Sequence, residues 1–569
     1  MSTVRVAPGD SATDSSRISR LAPLLILLVV ALGYGVAPTR LPLVGEETCR
    51  AQHGIEMAET GDWLIATNQG VPILDRPPLQ YWALAATHRW IRPLDPLTLR
   101  LFMVGVIFAT SLVIWWYARF FLTPTGACLA AVAYPTMGHV FDLGRRAETD
   151  GLYALLLAAA LLVWHRGYAQ GGRPWRTWSC AAILAALAAL TKGLQAPVAF
   201  FGAVYLFLLI RRDWRFLFHP AHFVGLVLFV GVVAIWQVPF YLEAGWDGTR
   251  ATWLDPGTSR VNSDAGDLLK HMAMLPLKAL GATLPWSPLL VALLDRRFWS
   301  IDARARSSVL FMLLGMAAIF GPVWVAAGGH HRYIMPMYPL LAVVCGAVAQ
   351  QCLSLDMSFS LRRFWRDYVR IVAVGMLLVM ATFVGATIAS AFIDAPGAQL
   401  LAQPWWFAVV LAVATVAGTF VLFRRAWRDG LTPSFITPVI TPFIIAALLA
   451  LFFGGAVLNV QVARAENVGP QVIAVRAALP EDAKLVSLRP IHHKFLYWYG
   501  RPIPVLSWPK SAANVPGDLE YFAFTATRGK AIDLPFRWER IAELNMDRSR
   551  QEDPEVRVVV GRRIRDGGS

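Results

Sequence analysis

Charge is what this sequence has least of. Only 16% of its 569 residues are Asp, Glu, Lys or Arg while 56% are apolar, a balance that excludes an ordinary soluble globular protein. Cysteine is scarce too: Cys49, Cys128, Cys180, Cys345 and Cys352 are the whole set, and none shows paired metal-ligand spacing. Only Cys49 lies in a segment expected outside the membrane, which excludes an exoplasmic disulfide framework within the chain. No glycine-rich loop follows a strand pattern, so the sequence gives no sign of a nucleotide-sugar fold. The net charge of +15 comes without an aromatic-interleaved basic surface, which removes nucleic acid from the partners.

What is present is apolar length. Runs of about twenty apolar residues indicate a polytopic α-helical membrane protein. They start near Leu21, Leu97, Gly126, Gly151, Thr177, Gln195, Phe223, His271, Ser308, Arg332, Ile371, Trp405 and Pro438, which predicts thirteen crossings. Residues 1–20 are polar and Ser-rich, with Arg5, Arg17 and Arg20 ahead of the first run, and read as a cytoplasmic tail before an uncleaved anchor. With the N-terminus inside, six Arg-bearing loops fall inside as well: those of Arg119, Arg166, Arg211, Arg296, Arg362 and Arg424. Residues 394–404 carry no Lys or Arg and fall outside.

An odd number of crossings puts the C-terminal section outside. From about Gln461 the composition changes: 471–479 has a short helical pattern, and 484–487, 504–506 and 556–560 read as short strands. The expected organisation is a tail over 1–20, a transmembrane domain over 21–460 with an exoplasmic loop at 38–96, and a small extracytoplasmic α/β domain over 461–569.

The stretch 45–82 stands apart, because it follows the first apolar run yet carries acids, an Arg and paired prolines. Adjacent Glu46 and Glu47 repel, so one is expected to pair with a cation or to have a raised pKa that suits a general base. Arg76 offers a fork of donors beside Pro77 and Pro78, which stiffen the backbone and could aim that fork at a phosphate. Read singly, each of these charges also fits a plain polar loop. Arg145 and Arg146 break the charge bias by lying outside, which fits either an anionic ligand or pairing with Glu148 and Asp150. Lys192, at the end of a span, either snorkels or contacts a phosphate. His330–His331 and His492–His493 show no converging acid, and are expected to cap helices and hydrogen-bond locally.

The ordered set Glu46-Glu47-Thr48, Glu56-Met57, Gly61-Asp62-Trp63, Gly70 and Asp75-Arg76-Pro77 resembles the bacterial aminoarabinose transferases. More broadly it resembles the polyprenyl-phosphate-sugar-dependent transferases of the GT-C class, cousins of protein O-mannosyltransferases. Members usually read Asp-Glu at Glu46-Glu47 and Glu-Lys-Pro at Asp75-Arg76-Pro77. The likeness continues in Asp150 at the head of a span, in Leu190-Thr191-Lys192-Gly193, in Leu284-Pro285-Trp286 and in Arg332-Tyr333.

The resemblance implies a GT-C fold and an inverting transfer of sugar from a polyprenyl-phosphate donor to a lipid, glycan or protein acceptor, at the outer face of the inner membrane. It makes Glu46 the expected base, with Glu47 and Asp150 as second choices. Arg76, Arg145, Arg146, Lys192 and Arg260 become donor-phosphate contacts, and Asp75 and Tyr81 substrate contacts. Relatives associate a metal with a His whose position falls near Leu268 here, with His271 offset, so the resemblance leaves a divalent metal open. The competing readings are a flippase or transporter, which would place ionisable groups at mid-membrane depth, and a non-catalytic binder of lipid-linked sugar.

Overall fold

The computed structural model describes residues 10–35, 38–255, 265–353, 359–428, 437–464, 467–527, 533–547 and 556–564. The chain divides into two compact units. One comprises Met1–Arg40, Asp75–Pro77 and Arg100–Ala463; the other comprises Leu41–Leu74, Pro78–Leu99 and Arg464–Ser569.

The first unit is helical. Among the described residues, eight helices are long and apolar enough to cross a membrane, and a ninth results if Gly266–Ala282 and Ser287–Leu294, bent by 107°, count as one span. Arg20–Gly35 and Gln195–Arg211 are apolar but shorter. Each of the thirteen expected starts falls within a helix. The number of crossings therefore turns on the short and broken helices. The protein is a multi-pass membrane protein.

Small residues let these helices approach closely, as packing in lipid favours. Thr149–Ala169 and Pro174–Lys192 form a helical hairpin. On its second arm Ala181, Ala182, Ala185, Ala186, Ala188 and Ala189 are all buried. A Cβ on Gly167 would lie 2.4 Å from Thr177 Oγ1, so only glycine admits this approach. Farther along, Trp164 stacks on Phe311 and meets Trp178 and Phe207 edge-on. Outward-facing Val227, Ile235, Ile371 and Leu378 are exposed although apolar, as a lipid-facing surface requires.

The second unit joins two distant parts of the sequence. Helix Glu47–Thr60 ends at Gly61, whose φ of 75° closes it in the left-handed conformation. Strands β1 (Ala66–Asn68) and β2 (Val71–Ile73) pair antiparallel across Gln69 and Gly70, both at positive φ, as a two-residue hairpin loop demands. Helix Leu79–Trp90 follows.

The remainder builds a sheet from β3 (Leu485–Leu488), β4 (Val505–Leu506), β5 (Tyr521–Thr527), β6 (Trp538–Asp547) and β7 (Val556–Arg563), in the order β4-β3-β5-β7-β6. β3 runs parallel to β4 and β5, and the other pairs are antiparallel. Alternation along β5 and β7 separates the two faces. Tyr521, Ala523, Val558 and Val560 pack with Val472, Phe495 and Leu496, whereas Phe522, Phe524 and Val559 pack with Trp508 and Trp538. β6 lies at the sheet edge, with register shifts at Arg540/Ala542 and Asn545/Asp547.

The α/β character expected over 461–569 is present. The loop 38–96, expected as part of the transmembrane domain, divides differently: most of it joins the C-terminal sheet in one compact unit. Hydrogen bonds explain the grouping. Gln69 Nε2 donates to Ser487 Oγ and to the Ile503 carbonyl, both at 2.9 Å, and its Oε1 accepts from Ile491 N at 2.8 Å.

Candidate active site

In the second unit, Glu46 precedes helix Glu47–Thr60, and the Arg50 side chain, four residues on, reaches back to its carboxylate. Arg50 is buried, and it also donates to the Tyr81 hydroxyl. The repulsion between Glu46 and Glu47 is thus relieved by a cation on the next helical turn. Glu47 is buried, and its Oε2 accepts from Val44 N at 2.9 Å. Glu46 keeps one-third of its side chain exposed. One acid is locked into the backbone, and the other stays accessible.

Behind this pair lie two imidazoles, His53 buried and His493 partly buried. His53 meets the Tyr81 ring edge-on and contacts Cys49 Sγ at 3.7 Å. His493 Nδ1 lies 2.8 Å from Thr48 Oγ1. Burial, followed by the nearby Arg50 charge, lowers the His53 pKa to about 3. Burial, then the neighbouring His492 and Lys494, lowers that of His493 to about 2. Both rings are neutral around pH 7. Glu56 accepts from Thr67 Oγ1 at 2.9 Å and from Gln69 N at 2.8 Å, so it holds the β1–β2 turn in shape.

In the first unit, Asp150 begins helix Thr149–Ala169 and Lys192 ends helix Pro174–Lys192. The hairpin brings these ends together in a buried ion pair. The signs suit the helix dipoles, with an acid at an N-terminus and a cation at a C-terminus. Lys192 Nζ also lies 4.7 Å from the Tyr333 ring centroid and 5.4 Å from that of Tyr153. Those two tyrosines, with Gln195 and Gly329, line a cavity of about 230 Å³. Beside it Arg332 binds Glu148 at 2.8 Å, and His139 bonds Tyr338 at 2.8 Å while stacking on His331.

The remaining candidates are spread out. Arg145 is buried and donates to the Phe141 and Gly33 carbonyls at 2.8 and 2.7 Å, a use that ties helix ends together. Arg146 pairs with Asp142 at 2.7 Å. Arg76 lies 3.9 Å from Asp75. Arg260 lies outside the described residues. Among the described residues no group of three or more His, Cys, Asp and Glu could hold a metal ion. His271 bonds the Val323 carbonyl at 2.9 Å.

Structure therefore joins Glu46 with Tyr81 through Arg50, and Asp150 with Lys192. Arg50, Arg332 and Tyr333 were not among the candidates. The i to i+4 spacing from Glu46 was the available signal for Arg50, and the Arg-Tyr pair opening a late span was the signal for the other two.

Residues 75–236 match the family described as dolichyl-phosphate-mannose-protein mannosyltransferase. In fold the chain aligns with ArnT from Cupriavidus metallidurans bound to undecaprenyl phosphate, with a TM-score of 0.66 over 97% of this chain and 98% of that one, at 17% identity. The fold is that of the GT-C class of membrane proteins.

Sequence relatives narrow the class. The chain is 26% identical over 357 residues to the undecaprenyl phosphate-alpha-4-amino-4-deoxy-L-arabinose arabinosyl transferase of Edwardsiella ictaluri, a match covering 59% of this chain and 60% of the relative. It is 25% identical over 372 residues to the protein so named in Aeromonas salmonicida, covering 63% and 65%. The chain thus spans less than two thirds of either relative's length. In sequence the chain resembles these aminoarabinose transferases, and in fold it resembles ArnT.

Proposed function

We propose that the chain is an inverting glycosyltransferase that takes a sugar from a polyprenyl-phosphate donor and passes it to a lipid, glycan or protein acceptor. The reaction takes place at the outer face of the inner membrane, with the N-terminus cytoplasmic and residues 461–569 outside. The observation that carries this reading is the grouping of paired acids and cations at one end of the helical unit. Asp150 with Lys192 and Glu148 with Arg332 gather at helix termini beside a cavity that Tyr153 and Tyr333 help to line. A carrier working by alternating access would set such groups near the middle of broken helices.

In this scheme Glu46 takes the proton of the acceptor hydroxyl as its oxygen attacks the anomeric carbon. The bond from that carbon to the phosphate oxygen breaks, its electron pair stays on the phosphate, and polyprenyl phosphate departs. Arg76 and Lys192 offset the charge that develops there, with Arg145, Arg146 and Arg260 as further candidates. Asp150 holds Lys192 in place, and Arg50 orients Glu46. Asp75 and Tyr81 bound the sugar, and Glu47 holds the chain ahead of the base.

The test is transfer by purified full-length protein in lipid, with a panel of radiolabelled polyprenyl-phosphate sugars. Glu46→Gln is expected to lose about 10²–10⁴-fold in turnover, the usual contribution of a general base, with donor binding retained. Full activity in both Glu46→Gln and Asp150→Asn would overturn the site assignment. Movement of intact donor across the bilayer, with no sugar released, would make the chain a flippase.

A further inference from the structure

A second cavity, of about 500 Å³, shares no lining residue with the one beside Lys192. It falls within the roughly 300–1,000 Å³ typical of sites for small ligands. Its floor is Tyr368, Val372 and Met376 on helix Phe359–Ala389, all buried, and Ile371 and Val379 on the same helix stand exposed at its mouth. Gly375 lies between them. A Cβ placed there would meet nothing within 4 Å, so the groove is open at that point.

Among the described residues the groove has one charged lining residue, Asp367, and it marks a cationic end. Arg366, Arg370 and Arg363 surround Asp367 at 3.3, 3.6 and 3.8 Å. Arg297 reaches the first turn of the same helix by donating to Ser360 at 3.2 Å. Three guanidinium groups on one carboxylate leave this end positive. An apolar trough open towards lipid, with arginines at one end, matches an amphiphile with an anionic head.

Position in the fold separates the arginine end of this groove from Lys192. Helix Tyr338–Leu353 starts beside Arg332 and Tyr333 and leads to the start of Phe359–Ala389, at the other end of the helical unit. A lipid whose phosphate lies near Lys192 cannot set that same phosphate on Arg366 and Arg370. We propose that the groove binds an anionic phospholipid, with acyl chains along Val372 to Met376 and its phosphate diester on Arg363, Arg366 and Arg370. The charge bias of the loops puts this end in the cytoplasmic leaflet.

The experiment uses delipidated full-length protein in detergent, titrated with phosphatidylglycerol or with phosphatidylcholine of the same acyl chains. Native mass spectrometry reads the retained lipid, and thermal unfolding reads its effect. The expected result is retention of phosphatidylglycerol at least tenfold above phosphatidylcholine, with a melting temperature raised by several degrees. Arg366→Gln with Arg370→Gln removes the preference and leaves the lipid-free melting temperature unchanged. Gly375→Phe fills the trough and removes retention of both lipids. The arginine pair keeps about one-third of each side chain exposed and keeps the test valid if Gly375→Phe fails to fold. Equal retention of the two lipids, or a preference that survives in the arginine variant, would overturn the proposal. So would displacement of phosphatidylglycerol by polyprenyl phosphate, which would make the groove part of the donor site.

Discussion

Two carboxylate–cation pairs, one in each unit, are built in opposite ways. Asp150 and Lys192 stand 42 positions apart and meet because two helices fold back on each other, with only 5% and 7% of their side chains exposed. Glu46 and Arg50 stand one turn apart on a short helix, and the acid remains one-third exposed. A pair sealed from water depends on its partner for the fold itself. A pair open on the acid side contributes little stability, but it can aim a carboxylate and release it during a reaction. The first holds the scaffold, and the second is suited to chemistry.

The largest effect that would break this contrast is on the sealed pair. Asp150→Leu leaves the Lys192 charge buried without its carboxylate, and should cost about 3–5 kcal/mol of stability. It would appear as loss of a monodisperse size-exclusion peak. Adding Lys192→Met should restore the peak but not transfer, since the lone charge is gone. If Asp150→Leu alone behaves as wild type, the pair is not what holds the hairpin.

A smaller effect belongs to the open pair. Arg50→Met removes the partner of Glu46 and the donor to Tyr81, a loss of about 1.5–3 kcal/mol for a charged hydrogen bond. If that loss falls on the transition state, kcat should drop by roughly 10–100-fold with KM little changed. A raised KM at constant kcat would instead assign Arg50 to substrate binding.

The mildest test sharpens the comparison through pH. His53 and His493 have folded pKa values of about 3 and about 2, below their ordinary 6.5. Below pH 6.5 the unfolded chain takes up protons that the folded chain refuses, so stability is full above 6.5 and falls as pH drops towards 3. Each ring should cost roughly 1.4 kcal/mol per pH unit in that window. His493→Asn should reduce the slope of melting temperature against pH between 6 and 5. An unchanged slope would mean that carboxylates elsewhere dominate.

How much of this was legible in the sequence depended on the range of the interaction. Apolar runs carry their own length and bias, so every expected span start falls in a helix. Glu46, Asp150 and Lys192 could be singled out from local oddity. The Asp150–Lys192 pairing was also within reach, because a 21-residue helix joined by a short turn to a 19-residue one sets the first residue opposite the last. The alliance of loop 38–96 with the C-terminal sheet was not legible. It rests on Thr48 with His493 and on Gln69 with Ser487, contacts more than 400 positions apart that follow no sequence period.

β6 carries a consequence of another kind. It is a ten-residue strand at the rim of its sheet, with no further strand beyond it among the described residues, and thus a template onto which another chain could add. Its two register shifts break the straight run of amide and carbonyl groups, and Glu539, Arg540 and Glu543 place charge along it. A foreign strand would find neither a matching spacing nor an uncharged face. The sheet is thereby protected from recruiting neighbours into aggregates, at the one long margin where it would otherwise continue.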